Sequence, residues 1–129
     1  EFLNKDEPMG IIAKKLSPTP DAVSEFLVES AKQISQEPGP GHTLLYMLRL
    51  SDGSLYTGIT TNIEHRVRQH EEGKGSKYVR SRLPIQEVRV VLRDLHRTTA
   101  LSLEHRLKQL SKSDKEWIFE YSAHEASFE

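Results

Sequence analysis

HTLLYMLRLSDGSLYTGITT (His42–Thr61) reads as two extended arms around a turn. Leu44–Leu50 and Leu55–Ile59 are strand-like, and Ser51-Asp52-Gly53-Ser54 between them has hairpin turn chemistry. The length of the loop decides which residues share a face, because strand side chains alternate. With Asp52-Gly53 as a two-residue loop, Tyr46 pairs with Ile59, and Tyr46 and Tyr56 fall on opposite faces. With a three-residue loop, Ser51–Gly53 with Gly53 left-handed, Tyr46 pairs with Gly58. Both tyrosines then share a face, with open space over Gly58. The residues leave both geometries open, and a joint role for the tyrosines requires the second.

Downstream, Thr61-Asn62-Ile63-Glu64 has the form of a capping box, and the helix it opens runs to about Glu72, where Gly73 stops it. Gly73–Arg82 is a basic loop with a helical turn near Tyr78, and Pro84 bars a helix through it. Gln86–Arg93 alternates Val88, Val90 and Leu92 and reads as a third strand. Thr98 or Thr99 caps a second helix running to about Leu110, and Ser113–Phe119 makes a short final one. The order is β-β-α-β-α-α. It predicts an α/β (α+β) fold with a three-stranded, largely antiparallel sheet flanked by helices.

Upstream, Pro8, Gly10, Pro18 and Pro20 make residues 1–20 irregular. Asp21–Gln36 is an amphipathic helix with Val23, Phe26, Leu27, Ser30, Ala31 and Ile34 on one stripe. Glu37–Gly41 is a Pro/Gly linker. The expected organisation is an N-terminal extension over 1–41, a domain over 42–119 and a frayed acidic tail over 120–129.

The chain has 129 residues, 36% hydrophobic and 29% charged, enough for one modest core. No apolar run approaches the length of a membrane span, and no secretion leader is visible. With no cysteine, disulfides, thiol catalysis and cysteine-zinc sites are excluded. A cytoplasmic location is the default expectation. Charge is uneven. Residues 42–119 carry 14 basic against 9 acidic side chains, a net +5, between ends of −3 each. A basic middle of this kind can face a polyanion.

Several charges interrupt apolar faces. At about 100° per residue, Ile63 and Val67 mark the buried line of the first helix, and Arg66 and His70 fall about −60° and −20° from Ile63. They are an i, i+4 pair and can converge on one point. In the second helix Ala100, Leu103, Leu107 and Leu110 form the stripe, and Glu104 sits at its edge, about 40° from Ala100. A carboxylate facing a core needs a partner or a metal. Each residue also has an ordinary reading: Glu104 paired with Arg66 or Lys108, His70 a core or surface histidine, the tyrosines strand-favouring aromatics.

Taken together these residues resemble the GIY-YIG nuclease family, closest to its small stand-alone bacterial members. The resemblance covers about residues 43–119. It rests on Tyr46, on Tyr56-Thr57-Gly58, on Arg66 with His70 four residues later, on Gly73-Lys74-Gly75 and on Glu104 in a late helix. Leu44-Leu45 stands where the family name has Gly-Ile, and Ile59 where some relatives have lysine. Some relatives carry a late asparagine, whereas the only asparagines here are Asn4 and Asn62. The resemblance implies a metal-dependent endonuclease that cuts DNA phosphodiester bonds, on structured or damaged DNA. Tyr46, Tyr56, Arg66, His70 and Glu104 would be catalytic, with Glu104 holding a divalent metal, Mg²⁺ or alternatively Mn²⁺. Gly58, Lys74, Lys77, Arg80 and Arg82 would meet the nucleic-acid backbone with little sequence preference. The alternative is a non-catalytic nucleic-acid-binding or protein-interaction module that keeps the fold, with residues 21–36 as a partner-binding helix and no membrane contact. The nuclease reading requires an odd-length turn or a bulge at Gly53.

Overall fold

Leu44 to Leu48 is an unbroken apolar run, the pattern of a strand covered on both sides. In a computed structural model describing residues 41–124 together with Leu27, Glu29 and Ser30, that run lies inside the sheet. The elements are β1 (Thr43–Leu50), β2 (Leu55–Thr60), α1 (Ile63–Glu71), α2 (Lys77–Arg80), β3 (Ile85–Leu95), α3 (Arg97–Lys108), α4 (Lys112–Glu120) and β4 (Ala123–His124). The sheet order is β2-β1-β3-β4, with every pair antiparallel. The expected α+β order and three-stranded β2-β1-β3 sheet are present, and among the described residues β2 is an edge strand.

Alternate residues of β1 enter different cores. Leu45 and Met47 pack against Leu103 and Leu107 of α3 and Ile118 and Phe119 of α4. Leu44, Tyr46, Leu48 and Leu50 face Val67 of α1, Val79 of α2, and Val88 and Val90 of β3. Helices therefore cover both faces of the sheet.

Several boundaries differ from expectation. Asn62, not Thr61, is the N-cap of α1, its side chain accepting from the His65 N–H at 3.0 Å. The Thr60 hydroxyl takes the Asn62 N–H, leaving Asn62 placed to cap. α3 starts at Arg97 with His96 as cap and no side-chain capping bond, ahead of Thr98 and Thr99. Ser111 caps α4, so that helix begins before Ser113. The alternation Val88-Val90-Leu92 does not hold to its end. A register shift opposite Leu45 and Tyr46 sends Leu92 to the α3 side while Val88 and Val90 stay on the Tyr46 side. The tail expected to fray from residue 120 instead supplies β4, whose two residues pair with Arg89 and Val90.

Leu27 and Ser30 are helical and buried, one turn apart, while Glu29 between them is exposed. Residues 1–20, the remainder of the expected 21–36 helix, the linker before Gly41 and residues 125–129 lie outside the described residues.

Candidate active site

The turn between β1 and β2 sets the site. The Leu50 N–H bonds to the Ser54 carbonyl at 2.9 Å, and the Gly53 N–H returns to the Leu50 carbonyl. Gly53 has φ of 86°, a left-handed value that suits glycine. The loop is the three-residue form, so Tyr46 lies opposite Gly58 and Tyr56 opposite Leu48. Both tyrosines share the α1 face, with ring centroids 6.4 Å apart. The space over Gly58 is not open, as the three-residue reading expected. A Cβ there would sit 2.5 Å from the Tyr46 hydroxyl oxygen, because the phenol lies across the glycine.

α1 brings His70 to the same place. Its ring is fully buried, and Nε2 is hydrogen-bonded to the Tyr46 hydroxyl at 2.9 Å. The ring meets Tyr56 edge-on at 5.5 Å. Nδ1 is buried with no hydrogen-bond partner among the described residues. The Gly75 backbone presses on that nitrogen so closely that any side chain at 75 would collide with it. This explains the second glycine of Gly73-Lys74-Gly75. The first, with φ of 77°, ends α1 by donating to the His70 carbonyl.

Arg66 is half-buried one turn before His70, and one of its nitrogens donates to Gln69 at 3.1 Å. Glu104 reaches the cluster from α3, its side chain 19% exposed. Among the described residues its ion pair is with Lys108, at 3.3 Å, and not with Arg66. The Lys108 ammonium also stands 5.4 Å over the Tyr56 ring.

These groups act on one another. Burial pushes the Tyr46 phenol well above its ordinary range, and Tyr56 adds to that rise. The nearby Arg66 guanidinium pulls the other way, and the Glu104 carboxylate raises it again. Burial first, then the Arg66 charge, lower His70 to about 4. The resting site therefore holds a protonated phenol against a neutral imidazole. The five expected catalytic residues act within one cluster: the three rings in contact, Arg66 and Glu104 acting on the Tyr46 hydroxyl.

No group of three or more His, Cys, Asp or Glu side chains is assembled to hold a metal among the described residues. One carboxylate beside phenolic hydroxyls still suits a hard ion such as Mg²⁺, which keeps several waters and uses one or two protein carboxylates.

The basic loop divides. Lys77 and Arg80 are exposed on α2, and Lys74 pairs with Glu72 at 3.5 Å. Arg82 is committed to the hairpin, bonded to Asp52 at 3.1 Å and lying 3.7 Å over the Tyr78 ring. Sequence reasoning passed over Tyr78, which stacks near-parallel on Tyr56 at 6.3 Å. The signal was a solvent-side aromatic in a basic loop.

Residues 42–117 match the family model described as the GIY-YIG catalytic domain. The chain belongs to the GIY-YIG family. Membership supports an endonuclease-type function, and nucleases of this family generally depend on a divalent metal. Similar proteins include a UPF0213 protein of Oceanobacillus iheyensis, 44% identical over 81 residues, or 63% of this chain and 93% of the relative. A UPF0213 protein of Haloquadratum walsbyi is 45% identical over 76 residues, covering 59% of this chain and 84% of its own length. Another, from Serratia liquefaciens, is 51% identical over 74 residues, covering 56% and 70%. No solved structure matches the chain. No helix among the described residues is long and apolar enough to cross a membrane.

Proposed function

We propose that this chain is a metal-dependent endonuclease that hydrolyses phosphodiester bonds in DNA, including structured or damaged DNA. The observation that carries this reading is the 2.9 Å bond between the Tyr46 hydroxyl and a buried, neutral His70, set among Tyr56, Arg66 and Glu104. A phosphodiester cut needs an oriented water, a route for its proton and neutralised charge. Arg66 is a permanent cation whose fork suits a phosphate oxygen. Glu104 would hold Mg²⁺ or Mn²⁺, which when bound neutralises phosphate charge and stabilises the departing oxygen.

Burial keeps the Tyr46 phenol protonated, which argues against a free phenolate base, and its hydrogen bond to His70 offers a relay instead. Water gives a proton to the Tyr46 oxygen while the Tyr46 hydroxyl passes its own to His70 Nε2. The relay places the resting imidazole proton on Nδ1, beside Gly75. Burial first and the Arg66 charge second hold His70 low, and a bound phosphate offsets the second of these. Tyr56 orients the phosphate. Exposed Lys74, Lys77 and Arg80 meet the backbone of the nucleic acid, and Gly58 leaves the room in which the Tyr46 phenol lies.

The test is incubation with branched and single-stranded DNA, with Mg²⁺ or with EDTA. Cleavage is expected only with the metal. It should fall in Glu104→Ala by more than the roughly 10–100-fold that loss of an outer-sphere partner alone causes. Cleavage that survives EDTA or Glu104→Ala would sink the mechanism. Binding without cleavage on every substrate would favour a non-catalytic module.

A further inference from the structure

Beside Tyr56 a trough runs along Leu55–Thr57 of β2. Its inner part is a cavity of about 320 Å³ lined by Leu55, Tyr56, Thr57, Tyr78, Lys108 and Lys115. It is continued toward the turn by a second cavity of about 210 Å³, where Lys112 joins Leu55, Tyr78 and Lys115. The nearby acids are already engaged: Glu116 by Arg49 through two bonds of 2.6 and 2.7 Å, Glu104 by Lys108. Lys112 and Lys115 make no ion pair with another described residue. The trough is therefore positive.

Its wall is an aromatic that no core requires. Tyr78 is 40% exposed, yet it is fixed. One face carries the Arg82 guanidinium, itself held by Asp52 at 3.1 Å and by the Tyr78 carbonyl at 3.0 Å, and the ring stacks toward Tyr56. A rigid exposed ring beside unpaired lysines is the combination that holds unpaired bases, with stacking for the base and cations for its phosphate. The larger cavity, at about 320 Å³, sits at the small end of ligand sites, about 300–1,000 Å³, a size that suits one nucleotide.

We propose that this trough is a subsite for one unpaired nucleotide flanking the bond cut at Tyr46, its base against the exposed part of the Tyr78 ring and its phosphates on Lys115 and Lys112. The assignment rests on the nuclease reading and deepens it. It makes Tyr78 a specificity-determining residue, and it places a strand on the α3–α4 side of the site as well as on the α2 loop.

The test is fluorescence anisotropy in EDTA with a labelled single-stranded oligonucleotide and a blunt duplex of the same sequence. The single strand should bind tighter. Tyr78→Leu should weaken single-strand binding about ten-fold while leaving duplex binding unchanged, and Tyr78→Phe should restore it. Lys112→Ala with Lys115→Ala should flatten the salt dependence by about 0.7 in log–log slope for each phosphate no longer neutralised. Equal or tighter duplex binding, or single-strand affinity untouched by both the Tyr78→Leu and the lysine variants, overturns the subsite. The two readings fail separately. Normal single-strand binding with no Mg²⁺-dependent cleavage overturns the nuclease and leaves the subsite standing. Cleavage indifferent to Tyr78 does the reverse.

Discussion

His70 shows how one side chain joins stability to chemistry. A histidine held neutral in the fold at about 4, against an ordinary value of 6.5, makes unfolding favourable to protons. Above 6.5 the folded and unfolded forms are both neutral at this residue, and its buried packing counts in full. Between 6.5 and about 4 the unfolded chain takes up a proton that the fold refuses, and stability declines. Below about 4 both forms are charged and the loss levels off. At about 1.36 kcal/mol per pKa unit the whole decline is on the order of 3 kcal/mol. Chemical denaturation at a series of pH values should show it, and His70→Gln should remove that part of the slope. An unchanged slope in the variant would mean that the imidazole is not buried neutral. Tyr46 does not add to this window, since its phenol is pushed upward and stays protonated throughout.

At the scale of the elements, the tie between α4 and the sheet depends on two arginines that the sequence presents as ordinary strand polar positions. The Arg49 and Arg89 guanidiniums lie 4.6 and 4.8 Å from the centre of the Phe119 ring. Arg89 also donates to the carbonyls of Phe119, Glu120 and Ser122, at 2.9, 3.0 and 3.1 Å, where α4 ends. Removing it leaves several carbonyls without their charged donor. Arg89→Ala is expected to cost about 2 kcal/mol in a denaturation experiment, against under about 0.5 for exposed Lys112→Ala. Arg89→Lys should not restore the loss, because an ammonium lacks the planar fork. The hairpin was legible before the structure to within two loop lengths, because turn chemistry at Ser51–Ser54 leaves few alternatives. Helix starts were less so. Thr60, Thr61 and Asn62 compete for one cap, and His96 caps with no side-chain bond to advertise it. Leu92 was misassigned because a bulge changes strand parity without a glycine to mark it. β4 has too few residues for any periodicity.

For the molecule as a whole, Arg66, His70 and Glu104 stand out in the sequence by their places on apolar faces, and only the family resemblance joins them to Tyr46 and Tyr56. Tyr46, Tyr56, Arg66 and His70 belong to the α1 side of the sheet, whereas Glu104 comes from α3, which packs on Leu45 and Met47 behind it. Glu104 and Lys108 reach the tyrosines from that opposite layer, a meeting that only tertiary packing defines. The same layer receives Leu27, which is 4% exposed among Met47, Leu103, Leu107 and Phe119. Residue 27 lies outside the 42–117 match, yet it completes that core. It also turns at least this part of the 21–36 stripe toward its own domain and away from a partner. Leu27→Ala should cost about 2–4 kcal/mol, while Glu29→Ala stays within about 0.5, both read from denaturant midpoints.

The edge position of β2 has one more consequence. A strand with no neighbour beyond it, as β2 is among the described residues, is a template for pairing with another copy, and proteins commonly blunt such edges with lysine. Lys108 and Lys115 stand along this one. Repulsion between two such edges, carried chiefly by Lys115 because Lys108 is paired with Glu104, opposes edge-to-edge pairing. A polyanion that covers them also cancels that repulsion. Colloidal behaviour and substrate occupancy are thus joined in one row of side chains, and neutralising it to weaken binding also exposes the sheet to self-association.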